Sequence, residues 1–205
     1  MMFDLSEERL SALHSALAHL SGPDETHISL PFYSAEEIAE MVASTADLSF
    51  RAATAVVGND VHQDMEVCFP APRIGAFDAC ASLLEEGVNS WCERPEFIQS
   101  PVHLNDFAVQ RYAQGSKGIG IHKDGLRYKY LVFIITLKGQ SRLFATDKRD
   151  GGQRFAIDDR PGRLVMIKAP EFGDFDASKR LLHGVDNIQS GRLSIGFRHE
   201  VNPSV

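Results

Sequence analysis

Several features that would take the chain out of the ordinary globular class are scarce or missing. Cysteine occurs three times, at 68, 80 and 92, with no Cys-x-x-Cys pair, so neither a disulfide framework nor a zinc site is implied. The longest apolar run is Tyr130–Leu137, well short of the ~20 residues that a membrane-crossing helix needs. Basic residues are outnumbered, 21 Lys and Arg against 28 Asp and Glu, for a formal charge of −7. That excludes a strongly basic nucleic-acid coat, though not a local basic patch. Glycine and proline, 16 and 9, follow no repeat, which excludes a collagen-like chain. The N-terminal stretch MMFDLSEERL is acidic where a secretion signal is basic, and no apolar segment follows it. A cytoplasmic protein without membrane contact is expected.

What remains, 43% hydrophobic and 24% charged residues in 205, suffices for one domain with a real core. Residues 1–100 read as mainly helical support. Asp4 with Glu7 is a weak capping box ahead of Leu10, Leu13, Leu17 and Leu20, and Gly22-Pro23 ends that pattern. Ser34 with Glu37 is a better one, ahead of Ile38, Met41 and Val42. A third helix is expected from about Pro72, with Phe77, Cys80, Leu84, Val88 and Trp91 on a core-facing stripe. From residue 104 the period turns to two. Strands are expected at 104–112, 119–124, 129–137, 141–146, 153–157, 162–168, 181–185 and 192–199, separated by turn residues such as Gly115, Gly139 and Pro161-Gly162. Eight short strands without helices between them suggest an antiparallel sandwich or jelly roll, with the helices on one face. The expected class is α+β, mainly β.

The chemically informative stretch ends in Ile119-Gly-Ile-His-Lys-Asp124. In an extended strand His122 and Asp124 would share a face, where an imidazole and a carboxylate can bind one metal ion. His-x-Asp alone is weak, because such a pair arises by chance at these frequencies. A second copy, His62-Gln-Asp64, reads as a surface turn without strand framing. The distal end carries more information. His183 lies in Leu181-Leu-His-Gly-Val185, and the strand after it, Arg192-Leu-Ser-Ile-Gly-Phe-Arg198, puts Arg192, Ser194 and Arg198 on one face. Two arginines on one strand face are costly to bury unless anions meet them, and a ligand dicarboxylate and a metal-ligand carboxylate would do so. The plainer alternative is a solvent-facing edge strand with His183 satisfied in the core.

His-x-Asp, a distant His, and Arg-x-Ser about nine residues further on resemble the Fe(II)/2-oxoglutarate-dependent oxygenases. Arg111-Tyr-Ala-Gln-Gly115, Leu137-Lys-Gly-Gln-Ser-Arg-Leu-Phe144, Gly162-Arg-Leu-Val-Met166 and the spacing of Arg192 from Arg198 are similar to the AlkB branch. The resemblance spans roughly 104–199. It implies a double-stranded β-helix, a cupin-like jelly roll, within a single domain of residues 1–205. It further implies Fe(II) ligands His122, Asp124 and His183. Arg192 would hold the distal carboxylate of the cosubstrate 2-oxoglutarate, with Tyr112 and Ser194 as hydrogen-bonding neighbours. Arg198 would lie near Asp124 and the metal-side carboxylate. O₂ would then be consumed in hydroxylating or oxidatively dealkylating a substrate. Gln110 stands where the branch has Asn, and the stretch 169–179 is longer than the branch carries and would sit beside the metal mouth.

A small organic substrate is favoured, because Lys and Arg are scattered as Arg127/Lys129, Lys148/Arg149 and Lys179/Arg180, whereas nucleic-acid affinity rests on phosphate neutralisation. AlkB-like demethylation of nucleic acid is the alternative, and Phe69, Phe77, Phe172 and Phe175 are the candidate stacking residues. From other classes come a non-catalytic jelly roll that binds a ligand or metal, and a cupin-like zinc hydrolase or isomerase that would not need Arg192.

Overall fold

The computed structural model of the protein describes residues 3–58 and 60–201. Helix α1 (Glu7–Leu20) is capped by Ser6, whose hydroxyl accepts from the Arg9 backbone N–H, so the cap lies two residues beyond the expected Asp4. Helix α2 (Ala35–Ala43) opens on the Ser34–Glu37 capping box read from the sequence. Glu37 also accepts both Nη atoms of Arg9, at 2.7 and 2.8 Å, and so ties α2 to α1. Helix α3 (Gly75–Asn89) starts three residues later than expected and buries Phe77, Cys80, Leu84 and Val88. A short helix α4 (Arg94–Phe97) follows.

The first hundred residues also hold five strands that the sequence did not suggest: β1 (His27–Pro31), β2 (Arg51–Ala52), β3 (Val56–Val57), β4 (Val61–Asp64) and β5 (Glu66–Cys68). The expectation of mainly helical support is corrected to a mixture of helix and strand. These strands are short and lie at or near sheet edges. Strands β1, β4 and β5 pair with distant strands, and β2 and β3 are two residues long, which leaves little local periodicity to detect. His62 and Asp64 fall on β4 rather than in a turn, although both are exposed as expected.

All eight later strands are present: β6 (Asp106–Tyr112), β7 (Gly118–His122), β8 (Tyr128–Gly139), β9 (Arg142–Thr146), β10 (Arg154–Ile157), β11 (Arg163–Lys168), β12 (Leu182–Asp186) and β13 (Arg192–Glu200). They build two antiparallel sheets, ordered β1-β11-β8-β13-β6-β5-β2 and β10-β9-β12-β7-β4-β3. Alternation divides the side chains of the larger sheet. Leu131, Phe133, Ile135, Ile195 and Phe197 pack with α1–α3 in the main core, and Phe107 stacks on Phe197 at 4.4 Å. Val132, Val165 and Ile167 turn the other way, into a second core with Leu143, Ala145 and Val185 of the smaller sheet. The helices therefore cover one face of the larger sheet, and its other face, toward the smaller sheet, carries the second core.

Candidate active site

Strands β7 and β12 pair antiparallel with His122 opposite His183, and the two imidazole centroids lie 4.3 Å apart. Each ring is oriented by its own backbone. His122 Nδ1 lies 2.9 Å from the Gly120 carbonyl and His183 Nδ1 3.3 Å from that of Leu181. These carbonyls select the Nδ1–H tautomer and leave each Nε2 with a free lone pair. Strand β7 ends at His122. Asp124 therefore reaches the same side from the following loop and not by strand parity, which corrects the sequence argument. That loop is braced from the 3-10 turn Ala177–Lys179: Arg180 donates to the Asp124 carbonyl, and Lys123 to that of Ser178.

Asp124 Oδ2 lies 3.5 Å from His183 Nε2, and one donor atom from each of His122, Asp124 and His183 lies within 4.8 Å of the others. Burial, reinforced by neighbouring His183, lowers the His122 pKa to about 4 and keeps the ring neutral. Burial opposes the charge of Asp124, but His183 and Arg198 outweigh it and hold the carboxyl below its usual range.

The register between β13 and β6 brings the remaining residues together, with Arg192 opposite Tyr112, Ser194 opposite Gln110 and Arg198 opposite Asp106. Gln110, Tyr112, His122, Asp124, His183, Arg192 and Arg198 all line one cavity of about 40 Å³. Ser194 is the one site residue outside that lining, and its buried hydroxyl has no hydrogen-bond partner. Burial pushes the Tyr112 phenol up to about 12, so it remains a donor; its hydroxyl lies 3.4 Å from Gln110 Oε1.

The anions that meet the two arginines come first from the chain itself. Arg192 Nη1 donates to Asp159 Oδ2 and, at 2.8 Å, to Ser141 Oγ. Thr136 donates to the same Asp159 oxygen at 2.7 Å. Arg198 Nη1 donates to Asp106 Oδ1 at 3.1 Å, and its Nε is 3.8 Å from Asp124. Sequence reasoning missed Asp159 and Asp106. The signal was present in the demand for anions opposite two inward arginines, but nothing in the local pattern names which carboxylates answer it.

The stretch 169–179 divides in two. Phe172 stacks on Trp91 with 10° between the planes and joins the core, while the end of the segment braces the Asp124 loop. Of the four candidate stacking aromatics, Phe77 and Phe172 are core. Phe69 lines a groove of about 300 Å³ that shares Gln110 and Arg198 with the small cavity.

Two imidazoles and one carboxylate form a donor set suited to Fe(II). Asp124 Oδ2 and Arg192 Nε are buried without a hydrogen-bond partner, as ligand positions awaiting a metal ion and an oxygen-rich cosubstrate would be. The residues fit both groups.

No family model and no curated protein matches the chain. Solved structures do. A prolyl hydroxylase in complex with a hypoxia inducible factor oxygen degradation domain peptide fragment, from Trichoplax adhaerens, matches with TM-score 0.63 and 12% identity, over 95% of this chain and 91% of its own. An oxidoreductase of the 2OG-Fe(II) oxygenase family from Burkholderia pseudomallei matches with TM-score 0.62 and 15% identity, over 94% and 93%. OsALKBH1 matches with TM-score 0.57 and 13% identity, over 85% and 98%. Prolyl hydroxylases stand beside an AlkB-type structure among these neighbours, so the likeness gives the AlkB branch no preference. The chain has the jelly-roll fold of the 2OG-Fe(II) oxygenases.

Proposed function

We propose that the chain acts as a single-domain Fe(II)- and 2-oxoglutarate-dependent oxygenase on a small organic molecule. The observation that carries this reading is the convergence of three donors, the buried His183 and the partly buried His122 and Asp124, within 4.8 Å, with both Nδ1 atoms held by backbone carbonyls. These residues would hold Fe(II), and Arg192 the distal carboxylate of 2-oxoglutarate. Together the bound groups supply O₂-dependent oxidation of a substrate C–H bond, with 2-oxoglutarate leaving as succinate and CO₂.

The side chains have separate tasks. The His122 imidazole reaches the site neutral, as metal binding requires. Arg198 offsets the charge of Asp124 and is itself held by Asp106. The protonated Tyr112 hydroxyl and the Ser194 hydroxyl offer donors beside Arg192, and Gln110 stands at the border with the groove. Burial of the cavity walls keeps bulk water from the donors and strengthens each charge interaction there.

A small substrate is supported by the groove, whose walls include Met65, Val67, Phe69 and Tyr128. It is supported also by the pairing of nearby basic residues, Arg127 with Glu200, Lys129 with Glu171, and both Arg142 and Arg154 with Asp186. Paired in this way they form no continuous track for a phosphate backbone. A cytoplasmic setting belongs to the same proposal. Among the described residues no helix is long and apolar enough to cross a membrane.

The test is succinate release from 2-oxoglutarate with Fe(II) and O₂, screened across methylated nucleosides, oligonucleotides, amino acids and secondary metabolites. The wild type is expected to release succinate, most strongly with a small molecule, and Asp124→Ala and Arg192→Ala to release little. Ligand binding without succinate release would leave a non-catalytic module. Stimulation confined to oligonucleotides would transfer the substrate assignment to nucleic acid.

A further inference from the structure

The ion pair of Arg192 with Asp159 joins the start of β13 to the loop between β10 and β11, and both side chains are almost wholly buried. Its geometry is one-sided. Asp159 and Ser141 both engage Nη1. A guanidinium presents two bidentate edges, one of them formed by Nε and Nη2. Nε is buried and has no partner, so the Nε–Nη2 edge is the one that Asp159 does not use. Asp159 is in turn fixed by Thr136 of β8, the strand next to β13.

We propose that Asp159 is a positioning residue for the cosubstrate: by anchoring Nη1 it sets the angle at which Arg192 offers its Nε–Nη2 edge to a distal carboxylate. The inference rests on the assignment of Arg192 to 2-oxoglutarate and goes beyond it, because it concerns how a buried arginine serves two carboxylates. A long side chain without this anchor keeps its charge but loses its direction. Asp159 also compensates the buried charge of Arg192 when no ligand is present, so that the cation is held in place before the dicarboxylate arrives.

The experiment measures binding and needs no turnover. Calorimetry on Mn(II)-loaded protein without O₂ compares 2-oxoglutarate with 2-oxovalerate, a 2-oxo acid that lacks the distal carboxylate. In the wild type 2-oxoglutarate is expected to bind more tightly, and Arg192→Ala to erase the preference. Asp159→Ala is expected to reduce the preference at least tenfold while 2-oxovalerate binds as before. Asp159→Asn keeps an acceptor oxygen at the same place and is expected to stay within threefold of wild type. If Asp159→Ala does not fold, Thr136→Val, which frees Asp159 and leaves the ion pair, is expected to reduce the preference at least threefold.

An unchanged preference in the folded Asp159 variant, or in Thr136→Val where that variant replaces it, overturns the inference. So does an equal loss for both ligands, which signals general damage. An Asn variant as weak as the Ala variant overturns anchoring by hydrogen bond and assigns the effect to charge. Failure of the underlying assignment looks different: the wild type shows no preference, or Arg192→Ala leaves it intact.

Discussion

Gly118→Ala tests whether the β7–β12 pairing builds the candidate metal centre. Gly118 opens β7 with φ +80°, and a Cβ there would lie 1.9 Å from the Val185 carbonyl oxygen of β12. Ordinary contact begins at 3.4 Å, so the two strands would have to part by more than about 1 Å. Gly115 provides the control, since its φ is +75° and a Cβ would meet nothing within 4 Å. Left-handed backbone alone costs an alanine roughly 1–2 kcal/mol, and overpacking adds about 1–3 kcal/mol. For a domain of this size each kcal/mol lowers Tm by roughly 2–4 °C. Gly118→Ala is therefore expected to melt about 2–12 °C below Gly115→Ala.

The same displacement separates His122 from His183, the pair that this register sets opposite each other. Metal–ligand distances tolerate only about ±0.2 Å, so Mn(II) affinity is expected to fall at least about tenfold, the size of loss seen when a ligand's support is removed. Circular dichroism melts and Mn(II) titration by electron paramagnetic resonance make the comparison. If Gly118→Ala melts with Gly115→Ala, or holds Mn(II) as tightly as the wild type, the strand pairing does not set the ligand geometry and the reasoning is wrong.

Other substitutions reach other links in the same chain of argument. Asp124→Ala removes the single carboxylate from the donor set and the charge that Arg198 faces; Mn(II) binding is expected to vanish while the fold, followed by circular dichroism, survives. Phe172→Ala empties a buried ring site against Trp91 and is expected to cost about 3–5 kcal/mol in urea denaturation. Because Trp91 is the only tryptophan, a red shift in its emission accompanies the loss, and an unmoved spectrum would contradict the stacking. Burial pushes the Cys80 thiol up to about 12 and raises that of Cys68, whereas Cys92 is exposed. The thiolate is the reactive form, so a raised pKa means protection. One equivalent of a thiol reagent at pH 8, located at Cys92 by mass spectrometry, is the expected result.

The β half of the molecule was legible because its short apolar segments are bounded by turn residues such as Gly115, Gly139 and Pro161-Gly162. In β13 the parity placed Arg192, Ser194 and Arg198 together and Leu193, Ile195 and Phe197 opposite them, as the two cores require. Two things escaped for physical reasons. Strands β1, β4 and β5 pair with partners far along the chain, and stretches such as Arg51–Ala52 are too short to carry a period. Asp124 comes near the two histidines from a loop that Arg180 braces and not by strand parity, because β7 ends at His122. Asp159 and Asp106 lie 33 and 92 residues from the arginines that they meet. A burial argument calls for such partners without locating them.

Strand β13 is the last in chain order, yet it lies in the middle of the larger sheet between β8 and β6. A ribosome-bound chain that has not yet delivered Arg192–Glu200 leaves two long strands side by side with an open slot, their edges unpaired and their apolar rows unfilled. Closure of the domain has to wait for that final stretch, because contacts so distant along the chain form late. Interruption upstream of Arg192 should consequently yield a product prone to self-association or chaperone capture.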